Sequence, residues 1–307
     1  MPTCAQAQSY PVKPIKLIVP FPPAGATDQL ARILGERFSS HLGQPVVVDN
    51  RPGAGANVGA ELAARSPHDG YTLLIAPTSI YAIAATLYPR LNYDLLRDFT
   101  LVSTLINAAH LLVIHPSVPA RSLSDLIKLE KARPQGLNLA SQGNGTVSHL
   151  EGEMLARMAN LNLVHVPYRG STPAIQDLIG GQVDIMFDSI ASALPHIRSG
   201  KLRALAVTAN RRSPLLPEVM TMIEAGIPGY VTESWLSLAA PRGTPEAVIA
   251  RLSKMVIAVL NEPETLRRLS DLGLEPQSSS PDECRRRYEA EVIKWRPLVK
   301  SSGARVD

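Results

Sequence analysis

The feature that most constrains the fold is a repeated alternation of short apolar segments with stretches of helical spacing. The first segment, Ile15–Val19, is rich in β-branched residues, which suits a buried strand. Strands that are apolar throughout and alternate with helices predict parallel sheets covered by helices on both faces. The predicted strands are 15–19, 45–49, 71–75, 110–114, 137–140, 163–166, 183–187 and 202–207.

About eight strand–helix units are more than one small sheet usually contains, but two sheets can hold them. The alternation ends after residue 230, where an extended segment, 231–241, precedes predicted helices at 244–260, 263–272 and 281–300. We therefore expect an α/β fold of two lobes, each a mainly parallel sheet flanked by helices.

The chain is expected to cross between the lobes twice, near residues 105–109 and again near 229–236. Residues 10–107 would form the first part of lobe 1, and residues 108–230 would form lobe 2. Residues 231–307 would cross back and pack their helices on lobe 1, because a chain ending in helices without strands often returns to its first domain.

Composition bears on the classes of partner. Of the 307 residues, 45% are hydrophobic and 19% charged, the balance of a globular protein with substantial cores. Lysine and arginine number 31 against 27 aspartates and glutamates, and this small excess is dispersed along the chain. A nucleic-acid-binding surface would be more concentrated, so we expect no nucleic-acid partner. No apolar run approaches the roughly 18 residues that cross a bilayer.

The two cysteines, Cys4 and Cys284, lie at opposite ends of the chain. Cys284 fits the apolar stripe of the last predicted helix, so we expect no disulfide between them. No histidine or cysteine spacing resembles a zinc site, and we expect no metal.

The first residues resemble the end of an export signal. Residues 5–7, Ala-Gln-Ala, precede Gln8 in the pattern of a signal-peptidase site. The basic and apolar regions that normally come before it are missing, which favours a truncated leader and an exported protein. The alternative is an unstructured terminus that contains alanines by chance.

The loop after the first strand is predicted to bind an anion. Its prolines and Gly25 exclude a continued strand or helix, and a helix with Thr27 or Asp28 as N-cap follows. Free amide N–H groups and the helix dipole at such a start form a cradle for an anion. The alternative is a rigid corner without a ligand. The residues predicted to bind are Phe21, Pro22, Ala24, Gly25, Ala26, Thr27 and Asp28.

Other predicted strands also end in small or hydroxyl-bearing residues, where bulky apolar residues would serve a plain core. Ligands bind at the carboxyl ends of parallel strands, so these ends predict one cleft. The residues predicted there are Ala76, Thr78 and Ser79; Ser141, Gly143, Asn144, Gly145, Thr146, Ser148 and His149; and Tyr168 and Asp188. Thr146 could either donate to a ligand or only cap the helix that follows it.

An alternative is an enzyme on a doubly wound fold that uses the Gly53–Gly59 turn for a nucleotide. The turn approximates a dinucleotide fingerprint with one extra residue. No acidic residue is well placed for a ribose, because Asp69 lies in an apparent turn, and a structural role is favoured. Ser148 and His149 are adjacent and there is no G-x-S-x-G motif, so we predict no catalytic residues.

Six motifs in order resemble the Bug family of extracytoplasmic solute receptors, also called the TctC family. They are Phe-Pro-Pro-Ala-Gly-Ala-Thr-Asp at 21–28, Asn-Arg-Pro-Gly-Ala-Gly-Ala-Asn-Val-Gly at 50–59, Asp-Gly-Tyr-Thr-Leu at 69–73, Gly-Asn-Gly-Thr at 143–146, His-Val-Pro-Tyr-Arg-Gly at 165–170 and Asp-Ile-Met-Phe-Asp at 184–188. The resemblance runs from about Tyr10 to near the C-terminus.

This resemblance implies a Venus-flytrap fold and a periplasmic receptor without cofactor or catalysis. It also implies that the ligand is a small organic acid, a mono- or dicarboxylate. The implied partners are the membrane subunits of a tripartite tricarboxylate transporter, and we expect the protein to be a monomer. By carry-over, the loop 21–28 binds the near carboxylate through backbone amides and ordered water, and residues 76–79, 141–149 and 187–188 line the rest of the cleft. The family usually has two glycines where this chain has Ala24-Gly25, so the methyl group of Ala24 could narrow the loop or exclude a positive φ.

Overall fold

A computed structural model describes residues 10–88 and 90–302 of the protein. Cys4 and the predicted leader remnant lie outside these residues. The strands are β1 (Ile15–Val19), β2 (Val46–Asn50), β3 (Thr72–Pro77), β4 (Phe99–Ala108), β5 (His110–Ile114), β6 (Leu137–Ser141), β7 (Leu163–Pro167), β8 (Ile185–Ser189), β9 (Arg203–Val207), β10 (Ser234–Pro241) and β11 (Leu274–Pro276).

The helices follow the predicted alternation. They are α1 (Ala26–Leu42), α2 (Asn57–Ala64), α3 (Ala84–Leu87), α4 (Leu95–Asp98), α5 (Leu123–Lys131), α6 (Val147–Ala159), α7 (Ser171–Ile179), α8 (Ile190–Arg198), α9 (Glu246–Leu260), α10 (Pro263–Ser270) and α11 (Pro281–Ser302). A 3-10 turn at Ala54–Ala56 precedes α2, and a π-helical turn at Ser79–Ile83 precedes α3.

The strands form two sheets, one in each lobe, which confirms the predicted two-lobed α/β fold. The first sheet has the order β11-β4-β10-β3-β1-β2, and the second has the order β7-β6-β8-β5-β9. β1 pairs parallel with β2 and β3, and β6 pairs parallel with β7 and β8. β10 runs against β3 and β4, and β5 runs against β8 and β9. Most strands of each sheet therefore point the same way, with an antiparallel strand inserted among them, and in the first sheet the short edge strand β11 also runs against β4.

The two inserted strands are those by which the chain enters a sheet from the other lobe. The chain leaves β4 and enters the second sheet as β5, and it later returns to the first sheet as β10. Each crossing starts at the edge where the parallel strands of both sheets end. An entering strand must then run the opposite way, and both crossings pass beside the space between the lobes.

β4 and β11 were not predicted as strands. β4 carries buried Ser103 and Thr104, which interrupt its apolar pattern. Ser103 Oγ accepts from the Ser279 amide at 3.0 Å, and the Thr104 amide donates to Ser279 Oγ at 3.0 Å. These hydrogen bonds satisfy the polar groups inside the core. β11 has only three residues, too few for a readable period.

Both faces of each sheet are buried, which explains the unbroken apolar strands. In β1, Leu17 packs with α1 and α9 on one face, and Ile18 packs with the α2 and α11 side on the other. α11 places Trp295 in this second layer, with 1% of its surface exposed. Cys284, on the same helix, is buried and free, and burial raises the pKa of its thiol to about 11. Among the described residues, no helix combines the length and apolar character needed to cross a membrane.

Candidate functional site

A cavity of about 50 Å³ lies between the lobes, enough for a few water molecules or a slim organic ion. Seven of the residues predicted from the sequence line it: Phe21, Pro22, Gly25, Ala26, Thr27, Ser79 and Thr146. Pro77, Gln142, Val147, Ser171 and Ser189 also line it, and they lie in the segments at strand ends that the sequence pointed to. The lining residues that sequence reasoning missed are Ile106, Ala108, His110, Ser192, Ser234, Leu236 and Leu274.

The loop before α1 presents its backbone to the cavity. Gly25 is the N-cap of α1, and no side chain caps this helix end. The first amide groups of a helix have no partner within the helix, so the amides of Gly25, Ala26 and Thr27 are available to a ligand. The partial positive charge of the helix end adds to their attraction for an anion.

Asp28 holds the loop in shape from behind the cavity. Its carboxylate accepts from the Ala24 amide at 2.9 Å, from Arg32 Nε at 2.8 Å and from Asn50 Nδ2 at 3.0 Å. Burial alone would raise the pKa of Asp28, but Arg32 and the two amide donors hold it below its usual value. The side chain therefore remains ionised and organises the loop without lining the cavity.

Ala24 occupies the left-handed region, with φ of 68°. The alternative that a methyl group excludes positive φ here is therefore wrong, since the backbone adopts it with alanine present. An L-residue in this region costs about 1–2 kcal/mol. The hydrogen bond from the Ala24 amide to Asp28 helps to hold the strained conformation.

Ser79 contributes a buried hydroxyl group to the cavity wall. The side chain lies at the start of the π-helical turn, and 3% of the residue's surface is exposed. Within the described part of the chain, Ser79 Oγ makes no hydrogen bond. A buried hydroxyl left unsatisfied costs about 1–3 kcal/mol, so this group favours a hydrogen-bonding ligand in the cavity.

Helix starts of the second lobe surround the other side of the cavity. Thr146 lies at the N-cap of α6, Ser171 in the first turn of α7, and Ser189 at the N-cap of α8. The hydroxyl of Thr146 donates to Gly143 O at 2.8 Å and accepts from the His149 amide at 3.4 Å. Its proton is thus used inside the protein, which favours the capping role for Thr146.

The glycine loop that leads into α6 rests on a pair of histidines. His149 and His165 stack with ring centroids 3.9 Å apart. The Gly145 amide donates to His149 Nδ1 at 3.1 Å, and Ser141 Oγ lies 2.6 Å from His165 Nε2. Burial and the neighbouring His149 lower the pKa of His165 to about 3, so that ring is neutral at neutral pH.

The remaining predicted residues lie behind the cavity wall. Thr78 Oγ1 donates to Trp235 O at 3.0 Å and accepts from the Trp235 amide at 2.9 Å, which fixes β10 to the first lobe. Ser148 Oγ accepts from the Gln142 amide at 3.0 Å, and Tyr168 donates to Asp177 at 2.7 Å. The full set outside the wall is Ala24, Asp28, Ala76, Thr78, Ser141, Gly143, Asn144, Gly145, Ser148, His149, Tyr168 and Asp188.

Asp188 belongs to β8 itself, although the sequence placed it in the loop after that strand. Its side chain is fully buried and accepts from Gln142 Nε2 at 2.7 Å and from the Ser189 amide at 2.7 Å. A further, very short hydrogen bond joins it to Ser171 Oγ. Asp188 therefore stands one layer behind two side chains that line the cavity.

Charged side chains are almost absent from the wall. Among the described residues that line the cavity, His110 is the only titratable one. Its Nδ1 lies 2.7 Å from Glu151 Oε2, and Thr232 Oγ1 donates to the other oxygen of Glu151 at 2.7 Å. Burial alone would lower the pKa of His110, but the Glu151 carboxylate raises it above its usual value, so the two form a buried ion pair.

The Gly53–Gly59 turn contacts the second lobe. Tyr88 Oη lies 3.2 Å from Ala54 O and 3.1 Å from Asn144 O, so its single proton can be donated to either carbonyl, and a side chain at Gly55 would collide with Asn144 O. Thr172 Oγ1 donates to Pro23 O at 2.8 Å at a second contact between the lobes. Gly55 thus permits close packing of the lobes, whereas Gly53 and Gly59 permit close packing within the first lobe, against Val58 and Pro20.

Comparisons with known proteins agree with this architecture. The family model described as the tripartite tricarboxylate transporter family receptor matches residues 30–304. Protein BugT of Bordetella pertussis is 38% identical over 301 residues, which cover 98% of this chain and 92% of BugT.

Two solved structures are also similar. R. palustris Rpa4515 with adipate has a TM-score of 0.94 and 37% identity, and the match covers 97% of this chain and 100% of that one. MatC (Rpa3494) from Rhodopseudomonas palustris with bound malate has a TM-score of 0.89 and 34% identity, and it covers 94% and 100%. Both resemble this chain across both lobes.

Proposed function

The chain belongs to the tripartite tricarboxylate transporter receptor family, and from this premise we propose that it captures a small organic carboxylate between its lobes. The observation that carries the proposal is the buried Ser79 hydroxyl, which has no hydrogen-bond partner among the described residues, in the same cavity as the uncapped start of α1. Neutral donors and a helix dipole can bind a carboxylate without a lysine or arginine.

The rest of the cavity fits the remainder of such a ligand. Ile106, Leu236 and Leu274 supply apolar contacts, which suit a short hydrocarbon chain. The solved relatives with adipate and malate support the choice of a carboxylate. We propose the predicted residues on the cavity wall as contacts, and Asp28 and the glycine loop as their supports.

The proposal extends to the cellular role. The protein would act as a monomer in the periplasm and deliver its ligand to the membrane subunits of a tripartite transporter. Catalysis is not part of the proposal, because the family that matches is one of transporter receptors.

A melting experiment with candidate ligands tests the proposal. Adipate and malate should each be added in a series, with NAD and ATP as controls for the nucleotide alternative. A ligand at 100 times its Kd stabilises the folded protein by about 2.7 kcal/mol. We expect a carboxylate to raise the melting temperature without being consumed. A shift with NAD or ATP and none with any carboxylate would refute the receptor function.

A further inference from the structure

The second-lobe side of the cavity contains a carboxylate of the protein itself. Asp188 is 0% exposed, and its Oδ1 accepts from Gln142 Nε2 and from the Ser189 amide. Its Oδ2 makes the very short hydrogen bond with Ser171 Oγ. Gln142 and Ser171 both line the cavity. Whether Asp188 is ionised or protonated therefore determines which hydrogen bonds these two side chains can make with a ligand.

The buried charges near this carboxylate do not balance. His110 on β5 favours the ionised form of Asp188 electrostatically. However, His110 is already paired with Glu151 on α6, at 2.7 Å. Of the other elements packed on β8, α6 also carries His149, which stacks on His165, and α7 carries the half-buried Asp177, which accepts from Tyr168. α8 carries His196 and Arg198 in its last turn, at the far end from Asp188. The His110–Glu151 pair has no net charge of its own, because the proton between them stays within the pair, so an ionised Asp188 leaves a net negative charge beside the cavity.

The hydroxyl of Ser171 has a single proton to give. When Asp188 is ionised, that proton is donated to Oδ2, and Ser171 presents only oxygen lone pairs to the cavity. When Asp188 is protonated, its own O–H donates to Ser171 Oγ, and the Ser171 proton is free to turn towards a ligand. A ligand carboxylate would be repelled in the first state and bound in the second.

We propose that Asp188 takes up one proton from solvent when a carboxylate ligand binds, and that Ser171 then donates its hydroxyl proton to the ligand. This inference rests on the proposed carboxylate-binding function. The proton returns to solvent when the ligand leaves. Asp188 acts through Ser171 and is a positioning residue for the ligand. Burial raises the pKa of Asp188, so protonating it costs less free energy than protonating an ordinary exposed aspartate.

Linkage gives the direction of the effect. If the complex binds one proton more than the free protein, ligand affinity falls as pH rises. The fall reaches about tenfold per pH unit where Asp188 is ionised in the free protein and protonated in the complex. Ligand carboxylates have ordinary pKa values near about 4.3 and are ionised above pH 6, so they do not produce this dependence there.

Calorimetric titration with adipate between about pH 6.5 and 8.5 tests the proposal. Repeating it in buffers of different ionisation enthalpy counts the protons taken up. We expect close to one proton for the wild-type protein and none for Asp188→Asn. In that variant the amide can donate permanently to Ser171, so affinity should also lose its pH dependence. Ser192→Ala is the matched control, because it removes a cavity hydroxyl on α8 and should keep the proton uptake.

The outcomes separate the two proposals. If no carboxylate binds the wild-type protein, the proposed function fails and this inference with it. Binding of adipate without proton uptake overturns the inference alone, and so does an Asp188→Asn variant that still takes up the proton. Should that variant fail to fold, Ser171→Ala replaces it, and a pH slope of affinity equal to wild type overturns the inference.

Discussion

The two sides of the cavity use hydrogen bonds in different ways. On the first-lobe side, the start of α1 has no side-chain cap and Ser79 Oγ has no partner within the described residues. On the second-lobe side, the hydroxyls of Thr146, Ser171 and Ser189 already bond to other groups of the protein. The first side is therefore incomplete without a ligand, whereas the second is complete and must rearrange to contribute.

This difference predicts unequal effects of substitutions on the two sides. Changes on the first side should weaken binding and leave the fold almost untouched. Changes on the second side should cost stability as well, because they remove hydrogen bonds that exist without ligand. Stability and affinity therefore have to be measured on the same variants.

The largest effect is expected for Gly25→Val. A Cβ at Gly25 would lie 3.8 Å from Ser171 Cβ and 3.9 Å from Pro22 O, so the folded backbone tolerates it. The branches would fill the cavity and block at least two amide contacts with a carboxylate. At about 1.5 kcal/mol or more for each hydrogen bond to a charged group, affinity should fall at least about a hundredfold. Titration calorimetry measures the ligand affinity, and a denaturant melt is the control for folding. An affinity within threefold of wild type would show that the loop is only a rigid turn that does not bind the ligand.

A smaller loss of affinity is expected for Ser79→Ala. It removes one hydrogen bond to a charged group, worth about 1.5–3 kcal/mol, or roughly tenfold to a hundredfold in Kd. The ligand-free protein should be as stable as wild type or more stable, since an unsatisfied hydroxyl is lost. The neighbouring Thr78→Val is the matched control: it removes a hydroxyl that is bonded at both ends and should lower stability. A destabilised Ser79→Ala with normal affinity would contradict the assignment.

The smallest effect on affinity is expected for Thr146→Ala. Loss of the α6 cap should lower the free energy of unfolding by about 1 kcal/mol. Affinity should stay within about threefold of wild type, because the hydroxyl proton is directed to Gly143 O. A tenfold or greater loss of affinity would instead place Thr146 among the ligand's donors, and would remove the distinction between the two sides.

The first side of the cavity was predictable from sequence because its signal is local. The prolines, Gly25 and the helix spacing after Asp28 define a strand, a loop and a helix start within consecutive residues. Ser79 was found by the same rule, since it follows a parallel strand. Asp28 was placed in the right loop, although its role as a support depends on Arg32 and Asn50.

The other residues depend on long-range pairing, which carries no local signal. Ile106, Ser234 and Leu236 reach the cavity because β4 and β10 cross beside it, and the rule for parallel strand ends does not describe such strands. The ends of β8 were misplaced by two residues, and this moved Asp188 from the strand into a loop. Side chains alternate along a strand, and Met186 packs in the layer of α7 and α8, so Asp188 also faces Ser171.

The inserted strand β10 has a consequence for the order in which the molecule can fold. All strands of the second sheet lie between residues 110 and 207, so that lobe is built from one continuous stretch. In the first sheet, β4 is joined to β3 only through β10, at residues 234–241. Non-local pairings form late because a long loop must close first. During synthesis the second lobe can therefore complete its sheet before β10 is available to pair with β4. The cavity between the lobes forms last.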